Sequence, residues 1–410
     1  MNFSLYIAKR LAFSHQQSFS RFIIRLSVGA TTVGIAAMII TLCFVNGFQQ
    51  TVGNKVYSFW GHIRVQHFEP DKSMMAEEVP IQKNQSVEQI MQSQPGVAKV
   101  QAFATKSAVL AFKQNIEGIL LKGIEANYDS TQFKLFLTKG HWIQFNDSVY
   151  SKEILVSEQV ANLLQIQLYD TVTLYFVGND QSNTSYRKLR VVGLYKTGIE
   201  EYDKVFLIGD LKLIARINEW GPDQIGGYEI FVKPNQQYDS VNQVLLDALP
   251  TEWMSRTVSS IYPNIFDWLL IQDMNRNVIF IIMSVVAIIN LITCLLILIL
   301  ERTRMIGVLK AVGANNRLIS RIFLYYAAVI SIRGIVAGFV IGMGLVLLQQ
   351  YTGFIQLDET AYYVKTAPVL IIWWQILLVC LATFIVSFLI MLLPALLVKK
   401  INPIKAIQFK

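Results

Sequence analysis

Residues 278–300 read VIFIIMSVVAIINLITCLLILIL, 23 positions without a charged side chain. A bilayer core about 30 Å thick takes roughly 20 apolar residues as a helix, and a spanning segment must satisfy its backbone polar groups internally. The stretch therefore predicts a membrane helix. Three other runs share its character: Ser27–Val45, Ile322–Leu348 (broken only by Arg333) and Leu370–Val398. Outward from these four, the chain divides into an N-terminal segment 1–26, helix 27–45, a polar insert 47–276, helix 278–300, a short segment 301–321, helix 322–348, a link 349–369, helix 370–398 and a tail 399–410. The chain is 53% hydrophobic with a mean hydropathy of +0.42. The expected class is a membrane protein with four transmembrane α-helices, one plus three, carrying a large extracytoplasmic α+β domain of two lobes.

Charge orients the chain. Of the net +8, the segments 1–26, 301–321 and 399–410 hold 13 Lys/Arg and one acid, Glu301, whereas the insert holds 21 Lys/Arg against 25 Asp/Glu. Short flanking segments rich in Lys/Arg stay in the cytoplasm. Both termini and 301–321 are thus expected inside, and the insert and the 349–369 link outside. The basic excess lies at membrane borders and forms no groove-binding patch, which excludes nucleic acid as the partner. The first run is too long for a cleaved signal, and Leu42 stands before Cys43 where lipoprotein processing needs a small residue, so an uncleaved anchor is expected. Cys43, Cys294 and Cys380 all fall in predicted spans, leaving the insert without disulfides and dependent on its own core.

Within the insert, 86–94 reads as a capped helix ended by Pro95-Gly96. The pattern then predicts strands over 99–112, 119–123, 172–177, 189–195 and 204–208, with helices over 158–165 and 210–218. Catalytic motifs are missing: the sequence holds no GxxxxGK[ST] phosphate loop, HExxH, CxxC or GxSxG. His15, His62, His67 and His141 are scattered, and the spacing of His62 and His67 puts them on opposite faces of a strand, so no metal site is expected.

The segment ERTRMIGVLKAVGANNRLISR (301–321) sets Ile306, Leu309, Val312, Leu318, Ile319 and Ile322 at helical spacing opposite Arg and Lys. From the residues alone it is a basic amphipathic helix on the inner membrane surface or a docking element. Its string ERTRMIGVLKAVGA closely resembles the cytoplasmic coupling segment of the FtsX-like ABC permeases, the superfamily that includes the MacB exporters and the LolC/LolE lipoprotein-releasing subunits. The likeness extends along the chain: FSLYIAKR (3–10), VNGF (45–48), LKGI (121–124), ILVSE (154–158), VVGLYKTG (191–198), LDETAYYV (357–364) and NPIKAI (402–407) all resemble the family, several of them the LolC/LolE type. Met305 stands where the MacB branch commonly has an acid, which points away from that branch.

The resemblance implies that Glu301, Arg304, Gly307, Leu309, Lys310 and Gly313 couple to a separate cytoplasmic ABC ATPase, with the apolar stripe of Ile306 and Leu309 supplying the contact. ATP and magnesium would bind that partner, and this chain would hold no cofactor and catalyse nothing. It further implies a second permease copy or homologue, a lipoprotein cargo drawn from the membrane lipids of the inner membrane, and a periplasmic lipoprotein chaperone. The chaperone hairpin falls at about 178–188, with Asn179, Asp180, Tyr186 and Arg187 as its candidates. Gly334, Gly338 and Gly342 recur every four residues and form a smooth face for another helix, and Ala30 and Gly34 offer the same spacing on the first helix. These faces serve either packing or sliding. Arg333, costly in lipid, is expected to face protein or a water-filled cavity. The implied function is the permease subunit of an ATP-driven lipoprotein-releasing transporter. The alternatives are a MacB-like exporter of peptides or drugs and an FtsX-like scaffold that activates a cell-wall hydrolase.

Overall fold

The computed structural model describes residues 19–69, 78–177, 184–221, 223–234 and 236–390. The chain forms two compact units, one of residues 51–268 with 357–365, the other of the segments up to 50, 269–356 and from 366 on. In chain order it begins with α1 (Phe19–Trp60), β1 (Ile63–His67), β2 (Ile81–Gln82), α2 (Gln85–Ser93), β3 (Val97–Phe112) and β4 (Asn115–Ile124). Then come β5 (Leu137–Gly140), β6 (Glu153–Ser157), α3 (Glu158–Leu164), β7 (Thr171–Val177), β8 (Thr184–Tyr195) and α4 (Glu200–Asp203). β9 (Phe206–Asp210), α5 (Leu211–Ile217), β10 (Gln224–Ile225), β11 (Gly227–Val232), α6 (Tyr238–Ala248), β12 (Trp253–Thr257) and α7 (Val258–Ile261) complete the insert. The remainder is α8 (Pro263–Glu301), α9 (Thr303–Ala311), α10 (Asn316–Thr352), α11 (Glu359–Tyr362) and α12 (Trp373–Ile390).

α1, α8 and α10 are each long and apolar enough to cross a membrane, and α12 is a shorter apolar helix over the described residues. Two helices outrun the spans that hydropathy delimits. α1 continues past Val45 because Val52, Val56 and Phe59 recur at helical spacing and are all buried. It stops at Gly61, whose φ of 70° only glycine adopts without strain. α8 starts at Pro263, well before 278, with proline in the first helical position where its missing N–H costs nothing. Hydropathy sees only the lipid-facing part of such a helix. The fourth predicted span begins at Trp373, since Leu370 N–H donates to Cys43 O (3.0 Å) instead of entering a helix. Residues 391–398, the tail 399–410 and the segment 1–18 lie outside the described residues.

In the external unit ten strands form one sheet in the order β12-β1-β11-β3-β4-β9-β6-β8-β5, with β7 pairing both β3 and β8. Both expected lobes therefore share a continuous hydrogen-bonded sheet. The 16-residue β3 makes this possible: it pairs β11 through its first half, β4 along most of its length and β7 near its end. β4 with β9 and β6 with β8 run parallel, the other pairs antiparallel. The helices α2, α3, α5 and α6 cover a core that includes Leu110, Leu121, Val156, Leu174, Val191 and Ile230, each fully buried. Asn84 caps α2 through Ser86 and Val87 N–H, Ser157 caps α3 through Val160 N–H, and Asp210 caps α5 through Lys212 N–H.

Candidate functional site

Between the ends of α8 and α10, the segment 301–321 holds a nine-residue helix flanked by two turns. α8 ends at Glu301, and Arg302, outside helical conformation, separates it from α9. Gly313 (φ 93°) then turns the chain, and Asn315 caps α10 by accepting from Arg317 N–H (3.3 Å). A side chain at Gly313 would meet nothing within 4 Å, so its glycine serves the left-handed backbone and not close approach.

The faces of α9 differ from the sequence reading. Ile306 is fully buried in a cluster with Leu291, Leu295, Ile319, Phe323 and Tyr326 of the chain's own helices, and Gly307 is also buried. Leu309 and Met305 are half-buried against the same cluster. The expectation that Ile306 supplies an outward contact is thereby corrected: Ile306 and the half-buried Leu309 face inward, while Val312 of the same stripe is exposed. What α9 and the turn after it present outward includes Arg304, Val308 (49% exposed) and Val312 (83%), with Lys310 half-buried and Glu301 exposed at the end of α8. Val308 and Val312 are four apart, an exposed apolar pair that the hydrophobic pattern alone cannot separate from the buried one.

The glycine ridge of α10 packs on α1. A Cβ on Gly334 would lie 2.7 Å from Thr31 Cβ, on Gly338 2.6 Å from Thr32 O, and on Gly342 3.1 Å from Ala36 Cα. Thr32 Oγ1 also donates to Gly334 O (3.3 Å). The matching ridge on α1 is thus Thr31, Thr32, Ile35 and Ala36, not Ala30 and Gly34. Gly34 faces α8, 4.0 Å from Met283 O, and Ala30 is half-buried. Both ridges follow the i, i+4 rows of their helices, and a one-residue shift moves the row by 100° around the axis. Arg333 is half-buried, one position from that ridge.

Two of the family-like stretches, 191–198 and 357–364, meet in the external unit. Glu359 pairs with Lys196, Lys55 Nζ donates to Tyr363 O (2.7 Å), and Tyr363 Oη donates to Glu201 (3.3 Å). Trp268 packs edge-on against the Tyr363 ring at 5.8 Å. Gly198 (φ 76°) leaves room for the contact, since a Cβ there would meet Lys55 Nζ at 2.6 Å and Glu359 Oε1 at 2.8 Å. Beneath it, Asp203 accepts from the N–H groups of Thr197 and Gly198, and burial still raises its carboxyl above the usual range. The link between α10 and α12 is clasped to the domain, which sequence spacing could not indicate.

A buried polar layer lies where β1, β4 and β11 follow α1. Arg64 pairs with Glu78 (3.1 Å) and is stacked between Trp60 (4.5 Å) and Phe103 (4.6 Å). Lys122 pairs with Glu229 (2.6 Å) and donates to Phe59 O, and Tyr128 Oη donates to Glu229 (3.0 Å). Burial pulls the Lys122 ammonium down and pushes the Glu78 carboxyl up, and in each pair the opposite charge works against the shift. Apart from Lys122, inside the family-like LKGI, none of these charges carried a signal in the sequence. His62 is half-buried against Tyr57 (4.4 Å) and Tyr238 (4.7 Å), and its Nδ1 accepts from Val232 N–H (3.2 Å). Desolvation lowers its pKa to about 4. Among the described residues no group of three His, Cys, Asp or Glu could hold a metal.

The β7–β8 hairpin has its predicted flanking strands, with Tyr175 opposite Tyr186. Tyr186 is 59% exposed and the Arg187 guanidinium donates to Tyr186 O. Asn179 and Asp180 lie outside the described residues.

Comparison with known families matches residues 26–246 to the MacB-like periplasmic core domain and residues 277–403 to the FtsX-like permease C-terminal region. Among curated relatives, the lipoprotein-releasing system transmembrane protein LolE of Haemophilus influenzae is 23% identical over 94% of each chain. LolC of the same organism is 21% identical over 84% of each. Of solved structures, the periplasmic region of MacB from Actinobacillus actinomycetemcomitans is 14% identical with a TM-score of 0.35, covering 50% of this chain and 91% of that one.

Proposed function

This chain belongs to the family of the MacB-like periplasmic core domain with an FtsX-like permease C-terminal region, and we propose that it is the permease subunit of an ATP-driven transporter that releases lipoproteins from the inner membrane toward the outer membrane. The observation that carries this reading is the build of α9: its inner face is fixed by Ile306 and Gly307 to the ends of α8 and α10, while Arg304, Val308 and Val312 are left outward. A helix held on one face and exposed on the other moves with the membrane helices when a partner pushes it. The partner is a cytoplasmic ABC ATPase, which binds the ATP and magnesium this chain has no phosphate loop to hold. A second copy or a homologue completes the permease. The large domain lies in the periplasm, where it passes the acylated cargo to a soluble lipoprotein chaperone. The match to LolE over 94% and to LolC over 84% of the chain supports release over export.

The test separates the two faces of α9. Val308→Asp and Val312→Asp should abolish co-purification with the ATPase and stop lipoprotein release while the protein stays folded in the membrane. Leu309→Asp, half-buried, should cost both association and local packing. ATPase association and release that persist in the Val308→Asp/Val312→Asp double variant would rule out α9 as the coupling element.

A further inference from the structure

Trp60 ends one long helix and Pro263 begins another, and beside them in the external unit lies a cavity of about 310 Å³. That is the low end of the volumes that hold small ligands. Leu120, Val205, Phe206, Tyr262 and Ile265 make its walls, and Glu201, Pro263 and Asn264 its exposed rim. Trp60, Arg64 and Tyr202, each at most 1% exposed, line it from within. Trp60 Nε1, Arg64 Nε and Tyr202 Oη make no hydrogen bond of good geometry among the described residues, the nearest approaches being of Trp60 to Tyr202 and of Arg64 to Tyr262. Buried donors in an apolar cavity are left without an acceptor only at a cost, which a ligand oxygen would remove. That oxygen need not be charged, because Arg64 is already neutralised by Glu78 and the neighbouring Lys122 by Glu229. An anion would meet Glu201 at the rim and gain no unbalanced cation inside.

We propose that this cavity binds an alkyl chain ending in a neutral ester or amide carbonyl, the two lone pairs of the carbonyl oxygen accepting from Arg64 and Tyr202 while Trp60 Nε1 lies against Tyr202, and the chain lying along Leu120, Val205, Phe206 and Ile265. Trp60 and Tyr262 stack at 6.1 Å and frame the chain with flat aromatic faces. The site goes beyond the release activity and is read by binding alone, so its failure would leave the transport reading standing.

The probe is a monoacylglycerol with a photoreactive diazirine in its chain, added to the full-length protein in phosphatidylcholine nanodiscs. After illumination, mass spectrometry should find label on peptides spanning 202–206 and 262–265. Val205→Trp, which fills the cavity, should cut that label at least tenfold while labelling of α12 persists. Leu120→Phe is the second filling variant should the first fail to fold, with amide exchange of β3 and β4 as the folding control. Tyr202→Phe keeps the volume and should weaken labelling severalfold. Label at 202–206 that survives both filling variants, or stronger labelling by the free fatty acid anion than by the monoacylglycerol, would overturn the proposal. Competition by unlabelled phospholipid assigns the chain to the bilayer and competition by a lipidated peptide to a cargo. Competition by neither overturns the site.

Discussion

The ridge between α1 and α10 and the polar layer beneath α1 solve close packing in opposite ways. In the ridge, three glycines remove side chains altogether, so that a backbone approaches Thr31, Thr32 and Ala36. In the polar layer, Arg64, Lys122, Glu78 and Glu229 are among the most buried side chains of the chain and are paired with one another. The difference follows from solvent. Between helices in lipid no hydrophobic force draws apolar side chains together, and dispersion at short range has to do it. In a water-facing domain the hydrophobic effect assembles the core, and charges are tolerated inside it wherever each has its counter-ion. One region is stabilised by what is missing and the other by what is matched.

Removing one member of a matched pair should give the largest effect. Lys122→Met leaves Glu229 with only Tyr128 and should destabilise the external unit by about 3–5 kcal/mol, whereas the double change Lys122→Met/Glu229→Leu should recover most of that. Denaturant or thermal unfolding of the full chain measures both, and a double variant as unstable as the single one would break the comparison. For the ridge, Gly338→Ala puts a methyl 2.6 Å from Thr32 O and should cost about 1–3 kcal/mol of helix packing. Gly344→Ala on the same helix meets nothing within 4 Å and should be neutral or slightly stabilising. Equal outcomes at 338 and 344 would show that the ridge is not a packing face.

The smallest effect is a pH dependence in the external unit. His62 is held neutral in the folded state, with a pKa near 4 against an ordinary value of 6.5. As pH falls below 6.5 the unfolded chain takes up a proton that the folded chain refuses, so stability declines with acidification until the folded pKa is reached. Between pH 7 and pH 5.5 the loss should be about 1 kcal/mol. His62→Phe should flatten that part of the stability-versus-pH curve, and an unchanged slope would place the titration elsewhere.

Legibility followed the same division. The predicted elements of the insert at 86–94, 99–112, 158–165, 172–177 and 189–195 each recur within a few residues as α2, β3, α3, β7 and the end of β8. Period and caps are local signals. β1, β11, α6 and β12 went unread; β1 and β11 are buried on both faces without alternation and carry Arg64, Gln66 and Glu229 inside. A polar residue in such a run reads as exposed until its partner is known, and the partners come from strands far away in sequence. In the coupling segment the stripe was legible but its direction was not: Ile306 and Val308 are both branched apolar residues two apart, and only the packing of α8 and α10 makes one buried and the other exposed.

Hydropathy and the 301–314 string settled by themselves that this chain has helices fit for a membrane and which family it resembles, because lipid solvation acts on local composition. Tertiary structure alone decided the partner row for Gly334, Gly338 and Gly342, the clasp of 357–365 at Gly198, the outward face of α9 and the neutralised cavity at Trp60. Each of these depends on the distance between groups remote in the chain, and no local property of a sequence encodes a distance.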